Sequence, residues 1–346
     1  MLDERKLKVL YAIINSYIIS AEPIGSRTLS KHYDIGVSPA TIRNEMSDLE
    51  ELGLLNKPHS SAGRVPSDKA YRLYVDSLLN LNNISIDEEK KQKVKSILFS
   101  ESQEVDQLLQ TSARVLSEIT NYTALVISPH LENSRIKHIQ LLQVSSNQIL
   151  LVIVNNSDII KSTIFKVDSP TSSNQLNTIS NFLNEKLNGL PLNKLKDVLN
   201  MGLLDELYEY KDLLNKVIPV LNESVYEAED VELYYEGVAR LLNYPEYKDI
   251  NKAKTILSFI EDKDKVLEIL LKENLGNEIQ IVIGEENVYD QLKESSIVTA
   301  TYSIDGKTIG KIGLLGPTRM DYYNLINTLR LFSVNISEIL EMVFRK

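Results

Sequence analysis

Arg43, Asn44 and Ser47, with Ala40 one turn ahead of them, are side chains able to read a nucleic-acid base edge. Arginine can donate two bonds to guanine, asparagine can pair with both edge atoms of adenine, and small alanine and serine permit close approach. That chemistry requires an exposed helix face that enters a groove. Ile42, Met46 and Leu49 supply the opposite, apolar stripe, which turns Ala40, Arg43, Asn44 and Ser47 outward in the amino-terminal half of the helix. The carboxylates Asp48, Glu50 and Glu51 lie further along, away from the phosphates.

The elements that must hold this helix can be read on either side. Leu7, Leu10, Tyr11, Ile14, Tyr17 and Ile18 recur at helical spacing, predicting a first helix that ends near Ser20, before Glu22-Pro23-Ile24-Gly25. A short second helix is expected over Ser26 to Tyr33, opened by a Ser26 cap, with a glycine-bearing turn at Asp34-Ile35-Gly36-Val37. Ser38 caps the third helix, Pro39 occupies its first turn where a missing N–H costs nothing, and Gly53 stops it.

A wing is expected next. Leu54-Leu55-Asn56-Lys57 and Arg64-Val65-Pro66 can pair around the polar tip Pro58-His59-Ser60-Ser61-Ala62-Gly63. Ser67 then caps a helix that places Tyr71, Tyr74, Val75, Leu78 and Leu79 on one side. Within 53–75, Lys57, Arg64, Lys69 and Arg72 face a single Asp68, a balance suited to phosphate or minor-groove contact. The candidate contacts are thus Ser26, Arg27, Thr28, Ser38, Ala40, Thr41, Arg43, Asn44 and Ser47 on the helices. Lys57, His59, Ser60, Ser61, Gly63, Arg64, Lys69 and Arg72 complete them on and after the wing. A protein-interaction module of the same shape is the competing reading.

Composition is compatible with that assignment once it is resolved along the chain. The net charge of −10 opposes phosphate binding at first sight, yet residues 1–79 hold ten basic and ten acidic side chains, so the acidity belongs to the remainder. At 346 residues and 43% apolar content, two or three domains with real cores are expected. The absence of cysteine excludes disulfides and thiolate chemistry. No stretch reads as a signal peptide or membrane span, so a cytoplasmic protein without membrane contact is expected.

Beyond a linker near 80–90, a lysine-rich helix is expected to Phe99 and an amphipathic helix over 105–119. Strands are expected at 124–128, 136–145, 148–155 and 158–167. Helical segments follow from 172 to 222. Strands return at 278–283, 297–304 and 308–314, the last two joined by Asp305-Gly306, before a long helix from Asp321. Two strand groups flanking a helical stretch imply one α+β domain interrupted near 205–272, although two independent domains would read alike.

Other signals carry less. Gly306-Lys307-Thr308 lacks the upstream glycine of a phosphate-binding loop, Thr301 standing there instead. Gly316-Pro317-Thr318 reads as an ordinary helix entry. His32, His59, His130 and His138 share no metal-ligand spacing, and no carboxylate pair sits beside a nucleophile, so no metal, cofactor or catalytic residue is assigned and no enzyme activity is expected. Tyr234, Tyr235, Tyr244 and Tyr247 concentrate aromatics in the expected insertion, where they fit an interface or a core equally well.

The run Ser38-Pro39-Ala40-Thr41-Ile42-Arg43-Asn44-Glu45-Met46, then Glu51-Leu52-Gly53-Leu54-Leu55 and Ser60-Ser61-Ala62-Gly63-Arg64-Val65-Pro66-Ser67, resembles the heat-inducible transcription repressor HrcA family. Ala70-Tyr71-Arg72-Leu73-Tyr74-Val75-Asp76 and the block Gly310 to Tyr322 are similar to it as well. The resemblance implies an α+β architecture: a winged helix-turn-helix over 1–79, a linker and charged helix over 80–104, and a GAF-like domain in two parts, 105–204 and 273–346. Between those parts it implies a dimerisation domain over 205–272, with the four tyrosines as candidate dimer contacts. It further implies a homodimer on an inverted-repeat double-stranded DNA operator called CIRCE ahead of chaperone operons, and control by a GroEL-type chaperonin. A regulator whose GAF-like domain binds a small-molecule effector is the alternative.

Overall fold

The computed structural model describes residues 2–59, 62–80, 87–102, 104–129, 135–155, 160–168, 170–190, 198, 210–229, 231–271 and 278–344. They form two compact units, one of Met1–Ser128 with Leu233–Glu341, the other of Pro129–Glu232 with Met342–Lys346.

The first unit begins with the head. Helix α1 (Glu4–Ser20) is capped by Asp3 and buries Val9, Leu10, Ala12, Ile13 and Ile14. Helix α2 (Ser26–His32) buries Leu29. Its cap is Gly25, with no side-chain bond, so Ser26 is the first helical residue and not the expected cap. Helix α3 (Pro39–Glu51) buries Ile42, Glu45, Met46 and Leu49. Strands β1 (Leu55–Asn56) and β2 (Val65–Pro66) pair Leu55 with Pro66 and Asn56 with Val65. Helix α4 (Asp68–Leu79) buries Tyr71, Tyr74, Val75 and Leu78, closing a winged helix-turn-helix.

Helices α5 (Glu88–Ser100) and α6 (Val105–Thr120) lead into β3 (Thr123–Ile127), all five of whose residues are buried. In the second unit, β4 (Ile136–Ser145), β5 (Gln148–Asn155) and β6 (Ile160–Lys166) pair only with one another, in that antiparallel order. Helices α7 (Ser173–Leu187) and α8 (Lys211–Glu229) contribute Leu176, Ile179, Leu183, Leu214, Val217 and Leu221 to a core shared with Ile139, Leu141, Ile149 and Leu151 of that sheet.

The chain then re-enters the first unit. Strand β7 (Leu233–Glu236) pairs with β3. Two 3₁₀ turns at Val238–Asn243 and Pro245–Tyr247, α9 (Ile250–Glu261) and α10 (Lys263–Leu271) follow. Strands β8 (Ile279–Ile283), β9 (Ser295–Ile304) and β10 (Lys307–Pro317) complete an antiparallel sheet of order β7-β3-β10-β9-β8. The last helix, α11 (Tyr322–Phe344), buries Leu325, Ile326, Leu329, Phe332, Ile336, Ile339 and Leu340.

The mixed α+β class and the winged-helix head are as the sequence implied, but the insertion lies elsewhere. The segment that leaves the large sheet and returns is Pro129–Glu232, not 205–272. Strands β4, β5 and β6, expected in the interrupted domain, bury one face against α7 and α8 and make a separate sheet. Residues 233–271, expected in the insertion, pair or pack within the first unit. Fully buried β3 is an internal strand of the larger sheet, as continuous burial demands.

Candidate nucleic-acid interface

Helix α3 is held by local devices. Ser38 Oγ accepts from the Thr41 amide at 3.2 Å and lies 3.0 Å from Thr41 Oγ1, satisfying an orphan donor at the helix start. With Ile42, Met46 and Leu49 anchoring the inner face, Ala40, Arg43, Asn44 and Ser47 are exposed. Among the described residues, none of Arg43, Asn44 and Ser47 has a side-chain hydrogen bond or ion pair to another part of the chain. Their donors and acceptors are available to a ligand. Arg27 and Thr28 on α2 are exposed too, with Ser26 half-buried.

Three of the four carboxylates of α3 are engaged. Glu45, on the buried stripe, faces Lys6 Nζ at 2.9 Å and Arg5 at 3.6 Å, and Asp48 meets the same Lys6 at 3.1 Å. Glu45 and then Asp48 raise the Lys6 ammonium above its ordinary range. Glu50 pairs with Arg64 at 2.5 Å. Negative charge that would repel phosphate is thereby compensated by cations of the head itself. The pairing of α1 with α3 was missed at the sequence level, although Glu45 among Ile42, Met46 and Leu49 is a charged residue on an apolar stripe and signals a needed partner.

The wing is tied to the segment before α2. Ile24 and Arg64 exchange both backbone bonds, at 3.0 and 2.9 Å. This approach requires glycine at 63: a Cβ there would sit 2.4 Å from the carbonyl carbon and oxygen of Ile24. Gly63 is therefore a packing position. Lys57 and His59 are exposed at the wing, and Ser60 and Ser61 lie outside the described residues.

Three expected phosphate anchors are otherwise engaged. Arg64 is not in a loose wing: its side chain is only 18% exposed and it pairs with Glu50. Lys69 Nζ donates to the Leu52 carbonyl at 3.0 Å, closing the end of α3 while remaining exposed. Arg72 turns toward the sheet, where Nε donates to Glu286 Oε1 at 2.7 Å and Nη2 to the Ile281 carbonyl at 2.7 Å. Each cation was assigned by sign, and charge alone does not say which neighbour claims it.

The four tyrosines are likewise placed in the first unit and not in an insertion. Tyr247 is buried and lies 2.8 Å from Ser295 Oγ. Tyr244 stacks on Tyr122 with ring centroids 5.4 Å apart, and Tyr234 donates to Asp106 at 2.9 Å. Tyr235 is the exposed one, on edge strand β7. Tyr234, Tyr244 and Tyr247 are thus engaged within the first unit, and Tyr235 is exposed at the edge of its sheet.

An outward helix bearing Arg and Asn, a capped start and a tied wing define a winged-helix DNA-binding regulator. The comparisons give the family. Residues 1–79 match the family model described as the winged helix-turn-helix transcription repressor, HrcA DNA-binding, and residues 106–326 match the HrcA protein C-terminal domain. The chain belongs to the HrcA family of transcription repressors. It is 41% identical over 341 residues to the heat-inducible transcription repressor HrcA of Alkaliphilus metalliredigens, covering 98% of each chain. It is 42% identical over 329 residues to that of Clostridium tetani, covering 95% of this chain and 93% of the relative. A crystal structure of a hypothetical protein shares the fold, with TM-score 0.68 at 22% identity over 99% of each chain.

Proposed function

We propose that the chain acts as a cytoplasmic homodimer that represses chaperone operons by binding an inverted-repeat operator of the CIRCE type. Arg43, Asn44 and Ser47 read base edges in the major groove, and Ala40 admits the helix closely. Lys57, His59 and the serines of the wing tip contact the backbone or minor groove, with Ser26, Arg27 and Thr28 of α2, and Ser38 and Thr41 at the start of α3, near phosphate. The observation that carries this reading is the asymmetry of α3: its donors face outward without partners among the described residues, while Glu45 and Asp48 are neutralised by α1. Among the described residues no helix is long and apolar enough to cross a membrane.

An inverted repeat calls for two copies related by a two-fold axis. The dimerisation role implied for the insertion passes to Pro129–Glu232. There Leu142 and Ile164, both cross-strand neighbours of Leu150, are 47% and 57% exposed on the sheet side away from α7 and α8. Leu142→Glu combined with Ile164→Glu is expected to halve the sedimenting mass, and an unchanged mass would place the contact elsewhere. Family resemblance supports control by a GroEL-type chaperonin. Footprinting on chaperone-operon promoters at two temperatures tests the whole reading: protection of two symmetric half-sites that weakens on heating is expected. Uniform, sequence-independent protection would overturn it.

A further inference from the structure

The head is fastened to the large sheet by two arginine clasps, one buried and one half-buried, that engage different helices of the head. Arg319, in the turn between β10 and α11, is 7% exposed. Its Nε and Nη2 donate to Glu246 at 2.5 and 3.2 Å, its Nη1 donates to the Ile18 carbonyl at 2.9 Å, and its guanidinium lies 5.6 Å from the Tyr244 ring centroid. Ile18 is in the last turn of α1, where carbonyls lack intrahelical donors and a cation is favoured. On α4, Arg72 binds Glu286 and the Ile281 carbonyl. Beside it, Asp68 Oδ2 accepts from the Glu285 amide at 3.0 Å. That approach depends on Gly284, at φ +50°, because a Cβ there would fall 1.9 Å from the carboxylate. Burial raises the Asp68 carboxyl, with the Glu285 amide opposing it. Tyr71 and Tyr322 meet between the clasps, ring centroids 6.0 Å apart.

An apolar patch alone would hold the head yet allow it to slide. Directed, multidentate bonds to one carboxylate and one backbone carbonyl each fix an orientation, and two such clasps on separate helices block rotation about either. We propose that Arg319 and Arg72 are positioning residues that set the angle of the DNA-reading head, so that the two heads of a dimer match one half-site spacing. This rests on the dimeric, operator-reading function proposed above. A one-base-pair change in spacing rotates one half-site by about 35° relative to the other, which a fixed head cannot follow and a loosened one can.

The chain has no cysteine, so Lys8→Cys on α1 and Lys254→Cys on α9 can carry spin labels without background. Labelled chains diluted with unlabelled chains, so that only intramolecular distances are read, should give one narrow distance distribution. Arg319→Ala with Arg72→Ala should broaden it, and Glu246→Gln, a milder variant that retains side-chain volume, should broaden it less. An unchanged width in variants that melt cooperatively would overturn the clasp. In parallel, wild type should bind an operator lengthened or shortened by one base pair roughly tenfold more weakly or worse. The double variant should bind all three spacings within about threefold, with single half-site affinity retained. Equal spacing preference in wild type and variant would overturn the positioning role. A wild type with no operator preference would instead refute the function on which that role rests, with the distance distributions still deciding the clasp.

Discussion

Arginine has two opposed settings in the first unit. Arg43 and Arg27 stand exposed on the helices of the head, whereas Arg72 and Arg319 are drawn into bonds with Glu286, Glu246 and backbone carbonyls. Arg64 lies between these extremes by its partners, paired with the Glu50 carboxylate but, among the described residues, with no backbone carbonyl on its side chain. The same planar cation is proposed as a reader where no described residue claims it, and it is a fastener where a carboxylate and a carbonyl meet it together. Local charge density separates neither case from the other.

The strongest way to break this comparison is at the buried end. Arg319→Ala leaves Glu246 and the Ile18 carbonyl without their partner, and a stability loss of about 3 kcal/mol is expected in chemical denaturation. A loss under about 0.5 kcal/mol would make Arg319 an ordinary surface cation. Gly63→Ala comes next. Its Cβ collides with the backbone of Ile24, so the wing must move, at about 1–3 kcal/mol. Amide exchange at Ile24 and Arg64 should accelerate, and unchanged protection would show that the wing is not tied there.

Arg64→Ala tests the intermediate setting. Removing a partly screened pair with Glu50 should cost about 0.5–1 kcal/mol of stability, and the salt dependence of DNA binding should change by much less than one unit. A salt slope reduced by a full unit per wing would return Arg64 to the phosphate anchors. The smallest effect concerns Glu338, whose carboxyl is held below its ordinary 4.5 first by Lys91 and then by Lys95. A depressed carboxylate stabilises above its unfolded value and loses that contribution as pH falls through the folded one. Wild type should therefore exceed Glu338→Gln by about 0.5 kcal/mol near neutrality, and the gap should close on acidification below 4.5. A pH-independent gap would assign the effect to packing.

Punctuation and periodicity made the head legible: Ser38, Pro39 and Ser67 mark helix starts that the structure retains, and β4, β5, β9 and α11 fall near their expected bounds. What could not be read was partnership. Strand signals at 124–128 and 136–145 look alike in sequence, yet β3 enters the large sheet and β4 a separate one, because pairing is a long-range choice. Leu233–Glu236 was hidden among tyrosines that suit core, edge and interface alike. On α3 the outward face followed from spacing, whereas Lys6, Glu50 and Glu286 each pair with a charge carried by a different element.

The central claim is that the outward face of α3 reads sequence. The direct measurement is a pair of binding isotherms, on operator and on scrambled duplex, for wild type, Arg43→Ala and Asn44→Ala at fixed salt. Both side chains are exposed and without partners among the described residues, so stability should hold within about 0.5 kcal/mol. The ratio of operator to scrambled affinity should fall by roughly 5- to 150-fold, the equivalent of 1–3 kcal/mol of base discrimination, with scrambled-duplex affinity nearly constant. A loss of operator and scrambled affinity in equal proportion would contradict the account.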